Sequence, residues 1–194
     1  MKDNIILTDC DGVLLDWEPF FFHFAKEKHN FDVVEPKEYN VGKALGLTPR
    51  EGRALVGEFN TSETMAHLSP LRDAVKYVRK LFVEHGYQFH VITSQTDDPT
   101  GRAYRIHNLE KLFGKEVFHG FTILGQGADK DEELAKWKDT GCYWVEDKPA
   151  NIDAGFEAGL SSLLMAHDHN NDEKYKDIRV QNWKEIYNRI TGEV

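Results

Sequence analysis

Two aspartates separated by a single residue follow the first apolar stretch of the chain. Residues 5–8 read Ile-Ile-Leu-Thr, a pattern typical of a buried β-strand, and Asp9 and Asp11 come next. Residues two apart on a strand point to the same face, so both carboxylates should enter one crevice, roughly 7 Å apart. Such a pair repels itself unless a cation lies nearby or one group holds a proton. The spacing therefore indicates metal binding or acid–base chemistry.

Three later positions carry polar residues directly after apolar runs or before helical patterns. In chain order they are Thr93-Ser94, Lys130 and Glu146-Asp147. The carboxyl ends of parallel strands meet at one edge of a sheet, which is where open α/β sheets bind their ligands. If the intervening strands are parallel, these hydroxyl, ammonium and carboxylate groups should converge on the aspartate pair.

The rest of the chain alternates between strand-like and helical patterns. Apolar runs predict strands over residues 5–8, 88–93, 117–124, 142–145 and 161–165. Helical patterns lie between them, one of them expected to begin at Ser69-Pro70 and to end at Gly86. Further helices are predicted from Asp98-Pro99 to about 114, over 131–138 and over 149–158. The alternation predicts an α/β fold, a Rossmann-like three-layer αβα sandwich with a parallel central sheet.

Residues 15–69 interrupt this alternation. They contain a helical pattern over 17–28 and a second one after Thr48, where Glu51 completes a capping-box spacing, but no comparable strand. We therefore expect a small helical cap over 15–69, inserted after the first strand of a catalytic core formed by residues 1–14 and 70–194. The aromatic residues Trp17, Phe20, Phe21 and Phe24 are expected to serve in packing, with stacking on a ligand as the alternative. Arg50 and Arg53 are expected to lie on an exposed helical face, with phosphate or sugar contacts as the alternative.

Composition narrows the classes of partner. The chain has 24 Lys+Arg and 33 Asp+Glu, a formal net charge of −9, which disfavours binding to a long nucleic acid. No apolar run approaches the roughly 20 residues of a membrane span, and the N-terminus lacks a signal-peptide layout, so a cytoplasmic protein is expected.

Cys10 and Cys142 are expected to be buried and reduced. The spacing of His167 and His169 is also compatible with a metal site, but the Asn and Asp residues around them favour a solvated loop.

The order and context of these motifs resemble those of the haloacid dehalogenase-like hydrolase superfamily, in its phosphatase type. Its first motif, D-x-D-x-[TV], matches residues 9–13, and its second, third and fourth motifs match Thr93-Ser94, Lys130 and Glu146-Asp147. The continuation through Asp16-Trp17 is most similar to the 5′(3′)-deoxyribonucleotidase branch. That branch often has two aspartates where Glu146-Asp147 stands.

The resemblance implies roles for the individual residues. Asp9 is the implied nucleophile that forms an aspartyl-phosphate, and Asp11 is the implied acid and base. Mg²⁺ is the implied cofactor, held by Asp9, the backbone carbonyl of Asp11 and Asp147, with Glu146 touching the ion or one of its ligands. Thr93 or Ser94 would hold the phosphate oxygens. Lys130 would stabilise the developing charge, with Lys115 and Lys148 as alternatives.

The function expected from these roles is Mg²⁺-dependent hydrolysis of a small phosphate monoester, such as a 5′-nucleotide or deoxynucleotide. The alternative within the superfamily is a sugar-phosphate or other metabolite phosphatase, or a phosphomutase. A non-enzymatic, receiver-like phospho-acceptor module also uses a strand-end aspartate, Mg²⁺, a hydroxyl and a lysine, but the cap and Asp11 favour turnover. A homodimer through the phenylalanine run of residues 20–22 is a further expectation.

Overall fold

The computed structural model describes residues 4–36 and 38–193. Its centre is a six-stranded sheet in the order β3-β2-β1-β4-β5-β6, and every pairing is parallel. The strands are β1 Ile5–Thr8, β2 Gln88–Ser94, β3 Phe118–Leu124, β4 Tyr143–Glu146, β5 Ser161–Met165 and β6 Arg179–Val180. The predicted α/β fold with a parallel central sheet is confirmed.

Eight α-helices connect or flank the strands. They are α1 Trp17–His29, α2 Val41–Ala44, α3 Pro49–Thr61, α4 Ala74–His85, α5 Pro99–Phe113, α6 Asp131–Ala135, α7 Pro149–Glu157 and α8 Trp183–Thr191, all within the described residues. Two hydrophobic clusters involve different residues of the same strand: Ile6 belongs to one cluster and Leu7 to the other. Because successive residues of a strand face opposite sides, the sheet is covered on both faces. None of the helices over 4–36 and 38–193 is both long and apolar enough to cross a bilayer.

One predicted helix start is wrong. Ser69-Pro70 does not begin a helix, and α4 begins four residues later, at Ala74. Pro70 instead forms a bridge with Leu15, and the Asp16 amide donates a hydrogen bond to the Ser69 carbonyl. This pairing keeps the segment extended. Gly86 does end α4, as predicted, and it adopts the left-handed conformation.

The insertion between β1 and α4 is helical, as the sequence indicated. It consists of α1, α2, α3 and a 3₁₀ turn over Glu63–Ala66, and the capping box of Thr48 and Glu51 is present at the start of α3. Phe21 and Phe59 of the insertion belong to the same hydrophobic cluster as Ile6 of the central strand. The insertion therefore packs directly on the sheet.

The phenylalanine run of α1 is not an exposed patch. Phe21 is completely buried, and Phe20 and Phe22 are partly buried against the main core. The aromatic rings pack as predicted, with Trp17 stacked on Phe21 at 4.8 Å between centroids. A homodimer through this run stays an untested expectation.

The C-terminal elements β6 and α8 were not predicted, and they support the first motif. Trp183, at the first turn of α8, is fully buried. Its indole N–H donates a 2.8 Å hydrogen bond to the carbonyl of Val13. Helix α8 thus stabilises the loop that follows β1. Cys10 and Cys142 are buried and form no disulfide, as expected.

Candidate active site

The residues singled out at the ends of the predicted strands meet at one place. A cavity of about 470 Å³ lies at the carboxyl edge of β1 and its neighbours β2 and β4. Its lining includes all seven predicted site residues, namely Asp9, Asp11, Thr93, Ser94, Lys130, Glu146 and Asp147. Lys148 also lines the cavity, whereas Lys115 does not.

Three carboxylates form the centre of the site. Asp9, Glu146 and Asp147 each offer an oxygen, and these oxygens lie within 4.8 Å of one another. Asp9 follows β1, and Glu146 ends β4, which is paired with β1 in parallel register. A set of hard oxygen donors of this kind fits Mg²⁺, which binds through one or two carboxylates and completes its shell with water or phosphate.

Lys130 is the cation of this cluster. Its ammonium nitrogen lies 2.8 Å from Asp9 Oδ1 and 2.7 Å from Glu146 Oε2. The residue is only 3% exposed, so it is not one of the surface lysines that are common at a polar helix start. Its position as the residue directly before the short helix α6 places it in the site.

Glu146 is held on all sides. Its Oε1 accepts hydrogen bonds of 3.0 Å from the backbone N–H groups of Asp147 and Lys148. Its Oε2 accepts from Lys130 at 2.7 Å and from the Asn151 amide at 3.0 Å. With no exposed surface and four donors, Glu146 fixes the turn from β4 into α7 and the position of Lys130.

The crowding of acids changes their acidity. Burial, together with the charge of Glu146, raises the pKa of Asp9 to about 6 although Lys130 opposes the shift. Burial, together with the charge of Asp9, raises the pKa of Asp147 to about 7. A cation bound between the two carboxylates would lower both pKa values, because it stabilises their ionised forms.

The two hydroxyl candidates differ in their contacts. The Ser94 hydroxyl donates a 2.7 Å hydrogen bond to the carbonyl of Ala128, in the loop that precedes Lys130. Thr93 is 1% exposed and borders the same cavity. Ser94 thereby ties the end of β2 to the segment that carries the lysine.

Arg105 is a site residue that the sequence reasoning missed. It lies on α5, it is completely buried, and both of its terminal nitrogens contact the Asp11 carboxylate, Nη2 at 2.8 Å from Oδ2. Nη1 also lies 3.1 Å from the sulfur of Cys10. A signal was present, because Arg105 shares the buried face of α5 with Gly101 and Asn108. A charged residue at that helical phase requires a buried partner.

The prediction of a solvated loop at His167 and His169 is wrong. Both imidazoles line the cavity, and their rings stack at 5.5 Å between centroids. His167 Nε2 lies 2.7 Å from the Gly12 carbonyl, and His169 Nε2 lies 3.3 Å from the Asp147 carbonyl. Burial lowers the pKa of both imidazoles.

The turn over 167–170 is folded inward by one asparagine. The Asn170 amide donates 2.7 Å hydrogen bonds to the carbonyls of both Asp147 and Met165. These bonds bridge the chain ends of β4 and β5. The bond to Asp147 joins residues that are 23 apart in the sequence, a contact that a polar stretch of sequence does not reveal.

The insertion supplies the remaining wall of the cavity. Trp17, Tyr39 and Val41 give it an aromatic and apolar surface, and Asp16 and Glu18 add two acids. Tyr39 also contacts the core, with its ring 4.3 Å from that of His169. Arg50 and Arg53 lie outside the cavity on an exposed surface of α3, as expected.

Asn60, the residue before the end of α3, joins the insertion to the end of β2. Its side-chain amide donates to the Gln95 carbonyl at 3.1 Å, and the Gln95 amide donates back to the Asn60 carbonyl at 2.9 Å. Its Oδ1 accepts from the Trp17 indole at 3.1 Å. Both amide residues are buried, so the position of Trp17 in the cavity wall is coupled to the end of β2.

The sequence of this chain was compared with those of known proteins and protein families. No protein-family model matches the chain. An uncharacterised 32.4 kDa protein of Enterobacteria phage T4, from the Gp30-rIII intergenic region, is 26% identical over 195 residues, which cover 95% of this chain and 69% of the phage protein.

Solved structures agree along nearly the whole chain. A haloacid dehalogenase-like family hydrolase from Streptococcus pneumoniae superposes with a TM-score of 0.68 at 13% identity, covering 98% of this chain and 100% of that one. CbbY from Rhodobacter sphaeroides, in complex with phosphate, gives a TM-score of 0.65 at 16% identity and covers 94% and 96%. The chain has the haloacid dehalogenase-like fold. In this chain the acid cluster of Asp9, Glu146 and Asp147 stands at the carboxyl ends of the adjacent strands β1 and β4, and the helical insertion forms one wall of the cavity above it.

Proposed function

We propose that the protein is a Mg²⁺-dependent phosphomonoesterase that hydrolyses a small phosphorylated metabolite through an aspartyl-phosphate on Asp9. The observation that carries the proposal is the buried contact of Lys130 with both Asp9 and Glu146, beside Asp147 and at the floor of an open cavity. Four carboxylates lie here with two cations, Lys130 and Arg105. If all are ionised, as they are before Asp11 takes up the proton that it later donates, two negative charges are left, which one divalent ion balances.

The metal would be held by Asp9, the backbone carbonyl of Asp11 and Asp147. Bound there, Mg²⁺ would neutralise phosphate and carboxylate charge and lower their mutual repulsion. Because both oxygens of Glu146 already accept two hydrogen bonds each, we assign Glu146 to orienting Lys130 and the Asp147 backbone.

The reaction assigns one role to each aspartate. A carboxylate oxygen of Asp9 attacks phosphorus and the bond to the leaving oxygen breaks, while Asp11 gives that oxygen a proton. A water molecule then attacks phosphorus and passes a proton to Asp11, which restores the Asp9 carboxylate and releases phosphate. Lys130 stabilises the negative charge shared by Asp9 and the phosphoryl group.

For the phosphate contact we favour Thr93 over Ser94, since the Ser94 hydroxyl already donates to Ala128. The backbone at the end of β2 would contribute N–H donors. Of the alternatives to Lys130, Lys115 is outside the cavity and Lys148 is on its wall.

The preferred substrate class is a 5′-nucleotide or deoxynucleotide. Its support is the aromatic wall of Trp17 and Tyr39, against which a flat base can stack. A sugar phosphate is the second candidate. It is favoured by the structural similarity to CbbY, a protein whose structures include complexes with phosphate and with xylulose-(1,5)bisphosphate.

We also propose the division of the chain into a catalytic core over 1–14 and 70–194 and a cap over 15–69. The bridge between Leu15 and Pro70 supports these boundaries, because it ties together the two points where the insertion leaves and rejoins the core.

The test of the function is phosphate release from p-nitrophenyl phosphate with Mg²⁺ and with excess chelator. Release only with Mg²⁺, and its loss in a folded Asp9→Asn variant, is the expected result. Asp153→Asn is the matched control, because Asp153 pairs with Lys174 on the surface, outside the cavity. Undiminished turnover by Asp9→Asn would remove Asp9 as the nucleophile. A stable phosphorylated protein without turnover would instead indicate a receiver-like phospho-acceptor.

A panel of nucleotides, deoxynucleotides and sugar phosphates tests the substrate class. Deoxynucleotides are expected to give the highest kcat/KM, and Trp17→Ala is expected to lower that value while leaving sugar phosphates unaffected. If sugar phosphates give the highest kcat/KM, and Trp17→Ala does not change that value, the second candidate is favoured.

A further inference from the structure

The Asp11 carboxylate is bound by a buried arginine on the side away from the cavity. Arg105 has no exposed surface, and its two terminal nitrogens each contact a different oxygen of Asp11. Two parallel N–H to oxygen contacts of this kind fix the plane of the carboxylate as well as its distance. The side chain of Asp11 is 26% exposed, so one face of the same carboxylate is open to the cavity.

Asp11 stands where its direction would otherwise be poorly defined. It follows the end of β1, and Gly12 after it has a φ of 72°, so the backbone is turning away from the sheet. Arg105, in contrast, is in the middle of the fifteen-residue helix α5, which packs against the sheet and the insertion. The arginine thus connects a turning loop to a rigid element.

Arg105 is separate from the cluster that surrounds the nucleophile. Lys130 contacts Asp9 and Glu146, whereas Arg105 contacts Asp11 and the Cys10 sulfur. The two aspartates of the first motif therefore have different cations, each reaching the motif from a different helix. Since Arg105 does not line the cavity, it acts on a substrate only through Asp11.

Building on the phosphatase reaction proposed above, we propose that Arg105 is the positioning residue of the proton-transfer step. It holds the Asp11 carboxylate in the orientation from which an oxygen meets the leaving group. A leaving group that departs without a proton does not need this orientation. Loss of Arg105 should consequently slow substrates in proportion to their need for a proton.

The experiment compares phenyl phosphate with p-nitrophenyl phosphate, which are similar in shape but differ in leaving-group basicity. The kcat/KM of each reports phosphoryl transfer to Asp9. For Arg105→Met we expect kcat/KM for phenyl phosphate to fall about tenfold or more relative to kcat/KM for p-nitrophenyl phosphate. General acid–base catalysis contributes at least roughly 10² to a rate, so a partial loss of it is large enough to measure. Arg105→Lys keeps the charge without the two-point contact, and it should restore part of the ratio.

Two controls separate positioning from folding. Arg102→Met removes an arginine of the same helix whose partners are the exposed Asp97 and the Thr96 carbonyl, both outside the cavity, and it should leave the ratio unchanged. In an Asp11→Asn background, Arg105→Met should not change the ratio further, because the group through which it acts is already absent.

The outcomes are distinct. An equal decrease for both substrates in Arg105→Met, or a further shift of the ratio in the Asp11→Asn background, would overturn the positioning role and leave the phosphatase function intact. If Arg105→Met does not fold, Arg105→Lys decides, and an unchanged ratio in that variant overturns the proposal. A wild-type protein inactive on both substrates with Mg²⁺ would overturn the function and this inference together.

Discussion

The carboxylate of Asp147 lies directly against the α-carbon of Gly12. A Cβ added to Gly12 would stand 2.7 Å from Asp147 Oδ2 and 3.1 Å from its Cγ. The glycine also has a φ of 72°, which other residues adopt at a cost. The first motif and the acidic pair of the fourth motif can therefore approach each other only because this position has no side chain.

Gly12→Ala should displace Asp147 and lower phosphatase activity by at least tenfold. Gly141→Ala is the control, because Gly141 has a φ of 68° and a Cβ added there would meet no atom within 4 Å. Both variants should lose about 1–2 kcal/mol of unfolding free energy from the backbone conformation alone. Phosphate-release assays and urea denaturation measure the two effects. Equal activity in the two alanine variants would contradict the role assigned to the close approach.

Mg²⁺ should stabilise the protein more as the pH rises. The folded-state pKa values of Asp9 and Asp147, about 6 and about 7, lie above the ordinary value of 3.8. Without metal, the stability that comes from their protonated forms is fully present below the unfolded value of 3.8 and is lost as the pH rises from there through 6 to 7. Mg²⁺ binds the ionised forms, so its effect should increase over the same range.

Thermal unfolding of metal-free protein with and without added Mg²⁺ measures this effect. At a Mg²⁺ concentration about 100 times its Kd, we expect a Tm increase of roughly 5–10 °C at pH 8. The increase should be much smaller at pH 5.5. A shift that is the same at both pH values would show that Asp9 and Asp147 are not the ligands.

The acids of the cavity wall should select against substrates with a second negative charge. Asp16 and Glu18 line the cavity, and among its described lining residues the lysines are Lys130, already paired, and Lys148. Glu18→Gln should raise kcat/KM for phosphoglycolate roughly fivefold, with little change for phosphoethanolamine, because one repulsive charge is removed. Glu27→Gln, an equal change on an exposed part of α1, should alter neither value.

Asn60→Ala should destabilise the protein by about 2–3 kcal/mol. It removes the donor to the Gln95 carbonyl and the acceptor of the Trp17 indole, leaving both without this partner in a buried region. The midpoint of urea unfolding measures the loss. Gln126→Ala is the comparison, because the Gln126 amide joins the loop after β3 to the Arg53 carbonyl at the surface, and its loss should cost under about 0.5 kcal/mol. Equal effects would mean that burial does not distinguish the two contacts.

The sheet could be predicted from the sequence because strands buried on both faces are unbroken apolar runs. The segments 5–8 and 161–165 match their strands at both ends. The same reasoning missed β6, which has two residues and no detectable pattern. It placed a helix start at Ser69-Pro70, where a bridge to Leu15 overrides the local capping signal.

The candidate site was predictable where chemistry follows directly on a strand, as for Asp9 and Asp147. It was not predictable where a side chain reaches the site from the middle of a helix or from a polar turn. Arg105 approaches Asp11 from α5, and His169 approaches Asp147 because Asn170 folds its turn inward. These contacts depend on tertiary geometry and not on local pattern.

The place of β1 in the sheet has a consequence for how the molecule folds. Ile5 pairs with Gln88 and Ile6 with Tyr143, so the first strand of the chain must wait for partners synthesised much later. Pairings between distant residues are slow to form. The acidic crevice accordingly comes into existence only after β4 has joined β1, and a truncated chain that ends before β4 would retain Asp9 without Glu146 and Asp147, the acids that complete the proposed metal site.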